Sequence, residues 1–169
     1  MNMYVLLVAS LNENMKLARR IEKSLETLGV KSQTINLVDL DITLYDSTKE
    51  TNDGIPSKIT ELSNTMKTAT GYIVVSPEYN YSIPPSLTNV IAWLSRSGEG
   101  FRELFALKYV QLATHSGSGG NDVCNAMRTQ FSRLGAIVAP REIVTTPQKE
   151  VEEGSLQRIL SQFVGISQK

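Results

Sequence analysis

The chain has 169 residues, one domain's worth, and its 41% hydrophobic content is enough for an ordinary core. Lysine and arginine together number 17, as do aspartate and glutamate. The formal charge is therefore zero, and neither nucleic acid nor an anionic membrane is an expected partner.

No apolar run approaches the roughly 20 residues of a membrane span. The start, Met1-Asn2-Met3-Tyr4, carries no basic region or cleavage site of an export signal. The single Cys124 excludes an internal disulfide and fits a reducing compartment. A cytoplasmic location is the expectation.

Met3-Tyr4-Val5-Leu6-Leu7-Val8-Ala9 is a continuous apolar run, as in a strand buried on both faces. Ser10-Leu11-Asn12-Glu13-Asn14 follows, rich in helix-capping types, and predicts a helix over about 15–28. Leu17, Ile21, Leu25 and Leu28 form its inward stripe, and Gly29 stops it. Residues 32–37 alternate polar and apolar, the pattern of an edge strand. Residues 38–53 form a polar connection to which the sequence assigns no shape. A second helix is predicted over about 56–68, with Ile59, Leu62 and Met66 inward and Pro56 near its first turn.

Tyr72-Ile73-Val74-Val75 is a short β-branched run that suits a buried parallel strand. After it, Ser76 to Pro85 is a polar turn with three prolines, which fix φ and stiffen the loop. Leu87, Val90, Ile91 and Leu94 then repeat at helical spacing. Strand, stiff loop, helix start is where an open α/β sheet places its ligand, at the carboxyl end of a strand.

Gly98-Glu99-Gly100 breaks the chain, and residues 109–113 predict a fourth strand. Thr114-His115-Ser116-Gly117-Ser118-Gly119-Gly120 is a glycine-rich turn leading to a helix with Val123, Met127, Phe131 and Leu134. Residues 136–139 predict a fifth strand, and a closing helix spans about 151–164. Alternating strands and helices, without repeats, argue for one α/β domain over 1–169 with a parallel sheet covered on both faces.

Pro77-Glu78-Tyr79-Asn80, then Ser82-Ile83-Pro84 and a helix ending Trp93-Leu94-Ser95-Arg96, resembles the flavin-loop signature of the NADPH-dependent FMN reductase family. That family includes flavodoxin-like quinone, chromate and azo-dye reductases. The resemblance implies a flavodoxin-like three-layer sandwich with a five-stranded parallel sheet in the order 2-1-3-4-5. Three loops, residues 9–15, 77–83 and 114–121, would then meet at the strand 1/strand 3 switch point.

The first loop precedes a helix amino terminus, whose N–H groups and dipole attract an anion. In the family it holds the FMN phosphate through a longer glycine-serine-arginine sequence. Here Ser10, Leu11 and Asn14 match. The loop is about three residues shorter, Ala9 stands where glycine is usual, the arginine is missing, and Glu13 adds a negative charge. Lys16 is placed to lean back and offset it. Ser10, Asn12 and Asn14 are phosphate-binding candidates; simple helix capping is the alternative.

The second loop, with Pro77, Glu78, Tyr79, Asn80 and Tyr81, would lie along the flavin ring. Asn80 both donates and accepts, as the pyrimidine end of a flavin requires. Glu78 reads equally as a structural carboxylate holding the turn. The third loop offers backbone N–H groups around His115, Ser116, Gly117 and Gly119 without Cβ crowding. His115 reads as a polar turn residue before a catalytic one, because hydride transfer to a flavin needs no side-chain acid. Cys124 shares a face with Met127 and Phe131 and reads as a core thiol.

The implied activity transfers a hydride from NADPH or NADH to FMN and on to a quinone-like or other small acceptor, with no indispensable catalytic side chain and no metal. A flavodoxin-like electron carrier, or a scaffold of the same fold lacking FMN, are the alternatives; zero net charge argues against the carrier. Trp93 falls off the apolar helix face and is expected either to anchor a homodimer or homotetramer or to lie under the loop at 97–104.

Overall fold

The computed structural model describes residues 3–97 and 102–168. The elements run β1 (Met3–Val8), α1 (Glu13–Thr27), β2 (Lys31–Asn36), α2 (Ser47–Asp53), α3 (Ser57–Thr68), β3 (Gly71–Val75) and α4 (Pro85–Leu94). They continue with β4 (Tyr109–His115), α5 (Asn121–Arg133), β5 (Ile137–Val138), β6 (Ile143–Thr145) and α6 (Glu153–Ser167). The expected break at Gly98-Glu99-Gly100 lies outside the described residues.

The sheet is parallel throughout, in the order β2-β1-β3-β4-β5, with β6 also paired to β4. This is the flavodoxin-like order expected above. Thr34, Leu6, Ile73 and Gln111 stand in one row across four strands.

Side chains alternate across this sheet because a strand's period is two. Tyr4, Leu6 and Val8 of β1 face α1 and α6, where Leu17, Ile21, Leu25, Leu156 and Phe163 close one core. Val5 and Leu7 face α3, α4 and α5, where Ile59, Met66, Leu87, Ile91, Met127 and Phe131 close the other. Each fully buried Leu, Ile or Phe contributes about 1.5–3 kcal/mol, so the two apolar layers dominate the fold's stability.

Two features depart from the sequence expectation. The fifth strand is split in two. Val110 pairs with Val138 and Ala113 with Ile143, so three steps along β4 face five along the edge. The two extra residues bulge at 139–142, where Pro140 has no N–H to give. Gln111 fills the gap, its Nε2 donating to the carbonyls of Leu112 (3.0 Å) and Arg141 (2.6 Å). A short apolar run cannot signal such a break.

The second departure is Trp93, which is not an exposed anchor: it is 1% exposed. Its Nε1 donates to the Thr43 carbonyl at 2.9 Å, and its ring meets Tyr45 edge-on at 5.0 Å. Among the described residues, the polar connection is the segment that covers it; of the loop expected at 97–104, residues 98–101 lie outside the described residues. Asn89 holds the same segment, donating to Ile42 and Thr43 and accepting from the Tyr45 N–H at 2.8 Å. Further along, α2 starts on Asp46, whose carboxylate accepts from the Lys49 N–H at 2.8 Å.

Candidate functional site

The three loops expected to form a site do leave the sheet together, from the carboxyl ends of the neighbouring strands β1, β3 and β4. They are also tied to one another in pairs. Ser86 Oγ, in the first turn of α4, donates to the Ala9 carbonyl at 3.2 Å and joins the first loop to the second.

Asn14 joins the first to the third. Its Nδ2 donates to the His115 carbonyl at 3.0 Å, and its Oδ1 accepts from the His115 N–H at 2.7 Å. An amide is the side chain that can satisfy both backbone groups of one residue at once. Asn14 is buried, so this clasp, not a ligand, takes its polar atoms.

Glu78 joins the second loop to the third. One carboxylate oxygen accepts from Ser116 Oγ (3.1 Å) and from Ser118 Oγ; the other accepts from the Val123 N–H in the first turn of α5 at 3.0 Å. Burial pushes the Glu78 carboxyl up, but the bonds from Ser118, Val123 and Ser116 outweigh it and hold it below its ordinary value. Of the two readings of Glu78, the geometry shows the structural carboxylate.

The second loop itself turns back tightly. Tyr79 and Ser82 exchange both backbone hydrogen bonds at 3.0 Å, with Asn80 at φ 49° and Tyr81 at φ 60°. Two successive left-handed residues make a type I′ turn, in which Asn is at home and Tyr is strained. Tyr79 is 52% and Tyr81 70% exposed, so two aromatic rings stand in solvent at the mouth of the sheet edge. Pro77, by contrast, is buried.

In the third loop Ser116 is buried while Gly117 is exposed. Gly119 (φ 105°) and Gly120 (φ 76°) take backbone conformations that suit glycine, and a Cβ on Gly120 would come within 2.6 Å of Thr114 Cγ2. His115 is half-buried, and its Nδ1 lies 2.9 Å from Thr145 Oγ1 on β6. Thr145 is a partner that the sequence does not announce, because it reaches the site only through the split edge strand.

Of the three helix amino termini at this edge, those of α1 and α5 differ. That of α5 meets the Glu78 carboxylate. That of α1 has Asn12 as its N-cap, exposed and without a side-chain capping bond. Beside it opens a hollow of about 460 Å³ lined by Leu11, Asn12, Glu13, Met15, Lys16 and Arg19. Glu13 is paired with Lys16 at 2.6 Å, and that bond, with the nearby positive field, holds its carboxyl below the ordinary value. Ser10 is half-buried, its carbonyl fixed by Asn36 Nδ2 at 2.9 Å.

A doubly covered parallel sheet with three cross-tied loops at its switch point, one of them ending on an open helix amino terminus, defines a mononucleotide-binding α/β protein of the flavodoxin class. Residues 2–150 match the model of the NADPH-dependent FMN reductase family, and the chain belongs to that family.

Among characterised relatives, a quinone reductase of Escherichia coli (strain K12) is 36% identical over 78 residues, 45% of this chain and 42% of that protein. A probable NADPH:quinone oxidoreductase 2 of Oryza sativa subsp. japonica is 29% identical over 103 residues, 60% of this chain and 49% of that one. The chain thus spans less than half the length of either.

Among solved structures, the flavoenzyme FerB, an NAD(P)H:(acceptor) oxidoreductase of Paracoccus denitrificans, superposes with a TM-score of 0.78 at 19% identity, covering 99% of this chain and 98% of that one. A flavodoxin from the domain Archaea gives 0.63 at 16% identity over 98% and 96%. These two are likenesses of fold.

FMN is the cofactor that the family membership brings. The residues present fit it: the α1 amino terminus lacks a side-chain cap, the one acid in its first turn is neutralised by Lys16, and Gly117 of the glycine-rich loop and Tyr79 and Tyr81 of the turn are exposed.

Proposed function

We propose that this protein is an NAD(P)H-dependent FMN oxidoreductase whose second substrate is a quinone-like small molecule. The observation that carries the reading is the arrangement of the site. An uncapped helix amino terminus, a solvent-facing tyrosine turn and a glycine-rich loop are held at one switch point by Ser86, Asn14 and Glu78. The names of the two relatives above support the acceptor class.

Bound FMN would supply the hydride-accepting and electron-passing chemistry of the reaction. The chain's own residues bind and orient. The N–H groups at the start of α1, with Ser10 and Asn12, hold the phosphate. Lys16 cancels Glu13 and so removes the one local repulsion that a phosphate would meet. Asn80, Tyr79 and Tyr81 flank the ring, Pro77 stiffens the loop behind them, and the backbone of residues 115–119 faces it.

With Trp93 spent inside the protomer, a homodimer or homotetramer rests on other surfaces. The protein works in the cytoplasm with NADPH or NADH as donor, and requires no nucleic acid.

The test is the visible spectrum of the purified protein, before and after adding FMN, then NADPH or NADH without oxygen. A bound flavin that bleaches with nicotinamide supports the reductase. One that binds but does not bleach points to an electron carrier. A folded protein that takes up no flavin overturns the reading in favour of a scaffold, the outcome that the short, arginine-free first loop would then explain.

A further inference from the structure

We propose that Glu78 is a positioning residue: it acts as a built-in anion at the amino terminus of α5, and the glycine-rich loop takes its site-facing shape by folding around it. The two oxygens divide the work. Oε2 accepts the Val123 N–H at 3.0 Å, where a helix of 13 residues presents its positive end. Oε1 accepts both serine hydroxyls of the loop.

The turn is templated through a relay. The Ser118 N–H donates to Ser116 Oγ at 3.1 Å, and Ser116 Oγ donates in turn to Glu78. The backbone bend at Gly117 is thus fixed from both sides by one carboxylate. None of these bonds reaches the apolar cores; every partner lies in the loop or in the first turn of α5.

The arrangement also accounts for an acid beside a site that becomes more negative on reduction. Its charge is taken up by the helix end and two hydroxyls, so the loop gains rigidity with little added repulsion. The α5 terminus is thus closed to phosphate, whereas the α1 terminus has no such built-in anion. The inference rests on the FMN reading only for its affinity arm.

The experiment is chemical rescue. Glu78→Ala leaves a carboxylate-sized slot lined by the Val123 N–H, Ser116 and Ser118. FMN affinity should fall at least about tenfold, the worth of a charge-assisted hydrogen bond. Added formate should restore most of it, while chloride at the same ionic strength should not. Amide exchange at residues 117–119, measured without flavin, should quicken in the variant and slow again with formate, with no change in the strands of the sheet.

A wild-type protein that takes up no FMN overturns the reading of function, and the exchange arm still decides the latch. Exchange in the loop unchanged by Glu78→Ala, or rescued equally by chloride, overturns the latch itself. Should Glu78→Ala fail to fold, Glu78→Gln keeps the side chain's shape and removes its charge. The same local quickening is then expected without any response to formate, and its absence refutes the proposal.

Discussion

At the scale of single residues, the molecule spends its polar side chains on holding backbone and not on reacting. His115 is the sole histidine, yet Asn14 grips its backbone and Thr145 its ring. His115→Ala keeps the backbone clasp, so turnover with NADPH and a quinone should stay within several-fold of wild type. A loss of orders of magnitude at full flavin occupancy would show a proton-transfer role instead. Cys124 is the other residue that invites a chemical reading, and burial answers it by pushing its thiol up to about 12. The folded chain therefore keeps the proton when the unfolded chain, near 9.0, has lost it. This contribution to stability is complete below pH 9 and is lost as pH rises from 9 towards 12, by about 1 kcal/mol per pH unit. Denaturant titrations of Cys124→Ala across that window should show a shallower alkaline decline than wild type; equal slopes would place the thiol in water.

At the scale of elements, α4 does two jobs, and only one was legible in the sequence. The Leu87, Val90, Ile91 and Leu94 stripe declared its inner face through period alone, and these residues are buried as that period requires. Trp93 lies off the stripe and reads as exposed. What covers it is the 38–46 segment, whose apolar residues Leu40, Ile42 and Tyr45 have no period to announce them. Asn14 illustrates the same limit: its place in the first loop was visible, but its partner lies 101 positions away and can be found only in three dimensions. Glu78 was ambiguous for the same reason, since the serines that settle it sit on another strand's loop. Conversely, the alternation of strands and helices was legible in the apolar runs, while the strand order and the meeting of the three loops came from the family resemblance of the 77–96 stretch. Trp93→Phe removes the bond to Thr43, whose carbonyl keeps its bond from Asn89, and the loss of that one hydrogen bond costs about 0.5–1.5 kcal/mol. Thermal unfolding should register that loss, and limited proteolysis should open the chain between 38 and 46 first. Cleavage elsewhere would mean that the segment is held by other contacts.

At the scale of the whole molecule, the site joins β1, β3 and β4, so a ligand there binds only the folded chain and must stabilise it. FMN at about a hundred times its dissociation constant contributes roughly 2.7 kcal/mol, or about 5–10 °C in melting temperature for a chain of this size. Riboflavin, lacking the phosphate, should give a clearly smaller shift; equal shifts would take the α1 terminus out of the site. The fold also has two outer strands to protect, and the broken one does so by its break. An intact final strand would present a regular row of unpaired N–H and C=O groups, a template on which another chain could add a strand. The bulge at 139–142 cuts that row, Pro140 removes a donor, and Arg128 draws the bulge inward through Glu142 and the Ala139 carbonyl. What interrupts the ladder inside one molecule thus also denies a second molecule a continuous strand to copy, and a protein of zero net charge has particular need of that safeguard.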